Sequence, residues 1–161
     1  MKYEEVAQVL AKPLSRQLLD SAIPARLAYT GLDGAPRVIP IGTWWNGTHI
    51  CAATVPNSAK VPALRKNPKV AITIDTEGFP PNVLLIRGTA TLELFDGVPQ
   101  EYIDASRQMV PAEQFDGWEA GVRALYEQMV VITIEPTWAK LLDFETTLPK
   151  AVEDLVRARQ D

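Results

Sequence analysis

Arg37-Val38-Ile39-Pro40-Ile41-Gly42-Thr43-Trp44-Trp45-Asn46-Gly47-Thr48-His49-Ile50-Cys51-Ala52-Ala53-Thr54 reads as two strands about one tight turn. Apolar residues recur with a period near two on both sides of Asn46-Gly47, a pair suited to the positive φ angles of a type I′ hairpin. Pro40 has no N–H to give a ladder, so it belongs at an edge or a bulge. Gly42 lets something approach the backbone closely, and two occupants are open: a packed side chain or a flat ligand ring.

Upstream, Arg26 to Thr30 reads as a partner strand, joined through the turn Asp33-Gly34. Before it, Val6, Val9 and Leu10 at helical spacing predict a helix from Tyr3 to Ala11. Leu14, Leu18 and Leu19 predict a second short one before Pro24.

Downstream, Thr54 is followed by a polar loop with Ser58 and Lys60, a short helix through Leu64, and a strand ending at Asp75. The hydroxyls of Thr54 and Ser58, the Lys60 ammonium and the free N–H groups of a helix start are the donors that grip a phosphate. The plainer reading makes Ser58 an N-cap and Lys60 and Arg65 solvated charges.

A long strand is expected from Asn82 to Leu94, with Arg87-Gly88 marking a bulge or a corner. Helices follow over Val98–Met109 and from Pro111, the second carrying Phe115, Trp118, Val122, Leu125 and Met129 at steps of three and four, a core pattern. Val130–Ile134 and, after Pro136, Trp138–Phe144 read as two further strands, and a helix runs from Leu148 or Pro149 to Arg159. The sum is a mainly β chain with inserted helices, six or seven antiparallel strands, suited to a barrel that hides its sheet edges. No linker or composition shift divides residues 1–161, so one domain is expected, its barrel over about 25–144.

Composition narrows the function classes. The formal net charge of −4 argues against sequence-independent nucleic-acid binding, which needs clustered Lys and Arg. No apolar run reaches the about 18 to 20 residues that cross a bilayer, and Met1-Lys2-Tyr3-Glu4-Glu5 lacks the character of a secretory signal. A cytoplasmic location is expected, with no membrane partner. Cys51 has no second cysteine to bridge, and His49 has no companions at metal-ligand spacing, so no metal site is expected.

On these residues the segment Arg37–Asp75 resembles the flavin-binding split-barrel superfamily of pyridoxamine 5′-phosphate oxidases and their deazaflavin (F420)-dependent relatives. The likeness is carried by Trp44-Trp45-Asn46-Gly47, by Thr54-x-x-x-Ser58-x-Lys60, by Leu64-x-x-Asn67-Pro68-x-Val70 and by the Arg87-Gly88 strand, between Ala25 and Phe144. It implies a split β-barrel homodimer that binds FMN or F420 and transfers a hydride to or from a small organic substrate. Cofactor binding or storage without turnover, or a sensor, is the alternative. The resemblance assigns Arg37, Thr54, Ser58 and Lys60 to the cofactor phosphate and ribityl chain. It places the ring on Ile41, Gly42 and Thr43 with Ala53 and Thr54 beside them, and lets Lys60, Arg65, Lys66 and Lys69 line a groove for an acidic tail. The chain departs from the oxidases in two ways. Ala59 and Gly42 stand where they carry an arginine and a lysine, and the stretch Trp138–Asp143 lacks their substrate-reading Arg and His. Pyridoxine 5′-phosphate oxidase activity is therefore not expected, and no catalytic side chain is singled out.

Overall fold

In the computed structural model, which describes residues 1–159, one antiparallel sheet of seven strands is accompanied by six helices. The strands are β1 (Ala25–Thr30), β2 (Pro36–Ile41), β3 (Trp44–Trp45), β4 (Ile50–Thr54), β5 (Lys69–Asp75), β6 (Val83–Asp96) and β7 (Gln128–Leu142). The helices are α1 (Tyr3–Leu10), α2 (Pro13–Leu19), α3 (Lys60–Lys66), α4 (Gln100–Ser106), α5 (Ala112–Leu125) and α6 (Lys150–Arg157).

The strand order is β2-β1-β5-β6-β7-β4-β3, so β2 and β3 are opposite edges. Only Gly42 and Thr43 join them. An extended chain gains about 3.5 Å per residue, so this link reaches about 11 Å. Laid flat, seven strands would set those edges about 29 Å apart. The sheet must roll until its edges are neighbours, and because β2 and β3 pair with β1 and β4 rather than with each other, the barrel stays split. It is a split barrel, mainly β with inserted helices.

The inward side chains alternate with the pleat. Leu27, Ile50, Ile72, Ile74, Leu84, Ile86, Ile132 and Ile134 fill the barrel, with Leu64 of α3 and Val6, Leu10 and Leu18 of α1 and α2 buried in the same core. A second cluster lies outside β4 and β7, where Ala53 and Met129 meet Val98, Ile103 and Phe115.

The number of strands agrees with the sequence reading through two compensating differences. The stretch Arg37–Trp45 is two strands on opposite edges, broken at Gly42-Thr43. Conversely, the two strands expected on either side of Pro136 are one continuous β7. Pro136 is tolerated there because the ladder is already irregular: Gly88 of β6 faces it, and the register shifts between Arg87 and Gly88. Pro36 and Pro40 lie on the edge strand β2, as their missing N–H requires. In the β3–β4 turn only Gly47 has positive φ, so the expected type I′ geometry is replaced by a turn held by the Asn46 carboxamide, whose Oδ1 accepts from the N–H of Thr48 and His49. Met129, expected on α5, belongs to β7: Tyr126 turns extended and ends the helix. The last strand stops at Leu142, where Asp143 accepts three backbone N–H bonds from Glu145, Thr146 and Thr147 and folds the chain into a turn.

Gly88 is sterically obligatory. A Cβ there would lie 2.5 Å from the Glu135 carbonyl oxygen and 2.7 Å from Ile134 Cγ2. Gly121, inside α5, has no neighbour within 4 Å of its Cβ position. The same substitution should act with opposite sign at the two sites. Gly88→Ala should lose about 1 to 3 kcal/mol of stability through overpacking, and Gly121→Ala should gain about 0.5 to 1 kcal/mol from helix propensity. Urea unfolding of the two variants checks both.

Candidate functional site

Thr54 ends β4 opposite Val130 of β7. The chain then turns, Ser58 N–H donating to the Val55 carbonyl at 3.1 Å and Val61 N–H to the Ser58 carbonyl at 2.9 Å. α3 is fixed from below by Val61, Ala63 and Leu64, all buried. Its N-cap is Ala59 and no side chain caps it, so Ser58 is not the N-cap that the plainer reading allowed. The Ser58 hydroxyl has another partner.

Lys60 folds its side chain back over the turn. Its ammonium donates to Ser58 Oγ at 2.7 Å and to Thr54 Oγ1 at 3.1 Å. An ammonium has three N–H bonds, and each accepting hydroxyl still has its own O–H to give. One N–H and two O–H donors therefore remain around a positive charge. Among the described residues no carboxylate pairs with Lys60. Burial pushes its ammonium below the ordinary 10.5. A half-buried cation held only by neutral hydroxyls is electrostatically unsatisfied, and an oxyanion is the group that completes it.

The other expected phosphate contacts are elsewhere. Arg37 sits across from Tyr29, and its guanidinium is engaged within its own hairpin: Nη2 donates to Asp33 Oδ2 at 2.7 Å and Nη1 to the carbonyls of Ala35 and Pro36. This pairing holds the Asp33 carboxyl below its usual range and raises the arginine. Arg37 instead forms, with Lys69 and Arg87, the basic wall of a groove of about 520 Å³ on the outer face of the sheet. The Arg87 guanidinium lies over the Trp138 ring, 4.5 Å from its centroid. Arg65 is exposed on α3 and joins neither group.

Around the β2–β3 link the occupant of the space beside Gly42 is a side chain, Met109, whose Cε lies 3.3 Å from where a Cβ would be. Ile41 packs against the barrel core. Thr43 borders a hollow of about 300 Å³ that also carries Asp20, Glu101 and Asp104. Ala53 is 9% exposed within the cluster of Val98, Ile103 and Phe115, so it offers no open bed for a ring: α4 and α5 cover that face of β4. Sequence reasoning missed the cleft this creates. Trp44, Tyr102, Met109 and Trp118 line a space of about 260 Å³ beside Gly42. Of its aromatics only Trp118 was legible as core spacing; Tyr102 stands on a different helix, and only their packing shows a cleft.

The profile of the pyridoxamine 5′-phosphate oxidase family matches residues 11–141. The chain belongs to this family. Proteins of known structure share the fold at low identity. An F420 reductase is 21% identical, with a TM-score of 0.60 over 78% of this chain and 94% of that one. A conserved hypothetical protein from Mycobacterium tuberculosis is 15% identical, with a TM-score of 0.59 over 94% of each chain. The haem storage protein HutZ from Vibrio cholerae is 16% identical, with a TM-score of 0.56 over 81% and 92%. No curated protein matches the sequence. At these identities the neighbours establish the split barrel and not an activity. Among the described residues no helix is long and apolar enough to cross a membrane, and no three His, Cys, Asp or Glu side chains converge as a metal site.

The unsatisfied ammonium has a titration signature. Because its pKa in the folded chain is below 10.5, the unfolded chain holds the proton more tightly. Stability of the cofactor-free protein should therefore rise with pH from the folded value of Lys60 up to 10.5. Inorganic phosphate should reverse that shift. In NMR that follows the ¹³Cε shift of unmodified, isotope-labelled Lys60, its ammonium should titrate below 10.5, and added phosphate should move it back up.

Proposed function

We propose that this chain binds FMN or F420 through the Thr54, Ser58 and Lys60 cradle and acts, as a cytoplasmic homodimer, as an oxidoreductase that passes a hydride to or from a small organic substrate. The observation that carries the reading is the Lys60 ammonium, held by two hydroxyls and, among the described residues, by no carboxylate. Both cofactors carry a phosphate, and the residual donors match its tetrahedral oxygens. The bound ring supplies the hydride chemistry. The chain's part is placement: Lys60 neutralises the phosphate, the Thr54 and Ser58 hydroxyls fix its orientation, and Lys69 and Arg87 along the groove attract the further negative charge of an acidic tail. The longer tail of F420 makes more use of that wall than FMN does.

Self-association is supported by the same outer face of the sheet. No helix shields Val38, which is 66% exposed, and Ala71, Arg87 and Thr89 beside it are exposed too. A second copy meeting this face would shield the groove from water. Binding or storage without turnover is the second reading, supported by the likeness to a protein named for haem storage.

Lys60→Ala should weaken FMN or F420 binding by about 1.5 to 3 kcal/mol, roughly 10- to 150-fold, with a smaller loss for Ser58→Ala. Fluorescence titration of both cofactors checks this, and a change within twofold for Lys60→Ala removes the cradle from consideration. The cofactor that binds more tightly identifies itself. Loss or recovery of its visible absorbance with NAD(P)H, or with reduced F420 and an acceptor, separates turnover from storage. Sedimentation of the loaded protein should give a dimer.

A further inference from the structure

The aromatic cleft beside Gly42 has the composition of a ligand site. Trp44 of β3, Tyr102 and Ala105 of α4, Met109 of the α4–α5 connection and Trp118 of α5 surround about 260 Å³ of space. A cavity of about 150 Å³ lined by apolar side chains is enough for benzene, so this one has room for two fused rings. Tyr102 and Trp118 are nearly parallel, 28° apart with ring centroids separated by 6.2 Å, which presents flat surface. No residue lining the cleft is charged. At its rim Met109 is 47% exposed, an unbranched thioether that can shift to admit or cover a ring.

The neighbourhood adds a charge preference. On the other side of Trp44 and Ala105, the hollow bordered by Thr43 carries Asp20, Glu101 and Asp104. Arg107 stands 3.7 Å from Asp104, and neither Asp20 nor Glu101 is paired with a cation among the described residues. A carboxylate or phosphate entering here would meet repulsion, whereas a neutral ring would not.

We propose that this cleft binds a small, uncharged, planar molecule of one or two aromatic rings. As the substrate class of the oxidoreductase above, this rests on the cofactor reading; as a binding site it stands on the cleft alone. The cleft is continuous with Gly42, the link between the barrel edges, and so lies on the opposite side of β4 from the barrel core.

Calorimetric titration of cofactor-free protein with 2-naphthol should give saturable one-to-one binding, with quenching of tryptophan emission. Ala105→Leu fills the cleft and should weaken binding at least tenfold with unchanged circular dichroism. Met109→Trp closes it from the exposed rim and serves the same purpose if the first variant does not fold. Thr91→Leu, exposed on β6, should bind as the parent does. 2-Naphthoate, the same rings with a carboxylate, should bind at least tenfold more weakly than 2-naphthol. Absence of saturable binding at millimolar 2-naphthol, or equal binding by the filled variants, overturns the site. Equal binding of 2-naphthoate overturns the uncharged class. If 2-naphthol binds but neither FMN nor F420 does, the cofactor reading fails and the cleft stands; the reverse result removes the cleft alone.

Discussion

The two-residue link between β2 and β3 is the constraint on which the other features rest. A chain that can reach only about 11 Å cannot connect the edges of a flat seven-stranded sheet. The rolled sheet gives the barrel an interior, filled by branched aliphatic side chains, and an exterior with two distinct fates. Over β4 and β7 the exterior is covered by α4 and α5. Over β2, β1 and β5 it carries exposed apolar and basic residues. Gly42 sits at the junction, which is why a single backbone position borders both the barrel and the aromatic cleft.

Lys60 is a local departure from the economy of the rest of the molecule. Among the described residues the ion pairs reach solvent: Arg26 with Asp75, Arg37 with Asp33, Arg107 with Asp104, Arg123 with Glu119 and Lys150 with Asp154. Such surface pairs contribute little to stability. Lys60 instead loses hydration to burial and, among the described residues, has only hydroxyl partners. That arrangement costs folding energy in the free chain, and an anion bound there would return it, as in a preorganised site.

Much of the barrel was legible from local chemistry. The paired turns Asp33-Gly34 and Asn46-Gly47, the alternation of β1 and β5, and the placement of Pro40 on an edge follow from backbone rules that need no tertiary context. What was not legible depended on partners distant in sequence. Pro136 reads as a strand end until Gly88 is known to face it across the bulge. Arg37 reads as a phosphate ligand, but Asp33, four residues away, holds its guanidinium in the hairpin. Thr54, Ser58 and Lys60 were identifiable together because they are close in sequence and a short turn suffices to bring them into contact. The aromatic cleft has no such local signature, since its walls come from β3, α4 and α5.

Pro36 and Pro40 have a consequence for how copies of this chain can meet. They fall on the same alternation of the edge strand β2, and each removes a backbone donor. The opposite edge, β3, is only two residues long. Neither border can template a run of added strands, so the sheet is terminated at both ends by chemistry rather than by cover. Contact between copies is thereby steered away from backbone zippering, with its tendency to continue indefinitely, and toward side-chain surfaces that close after a single encounter.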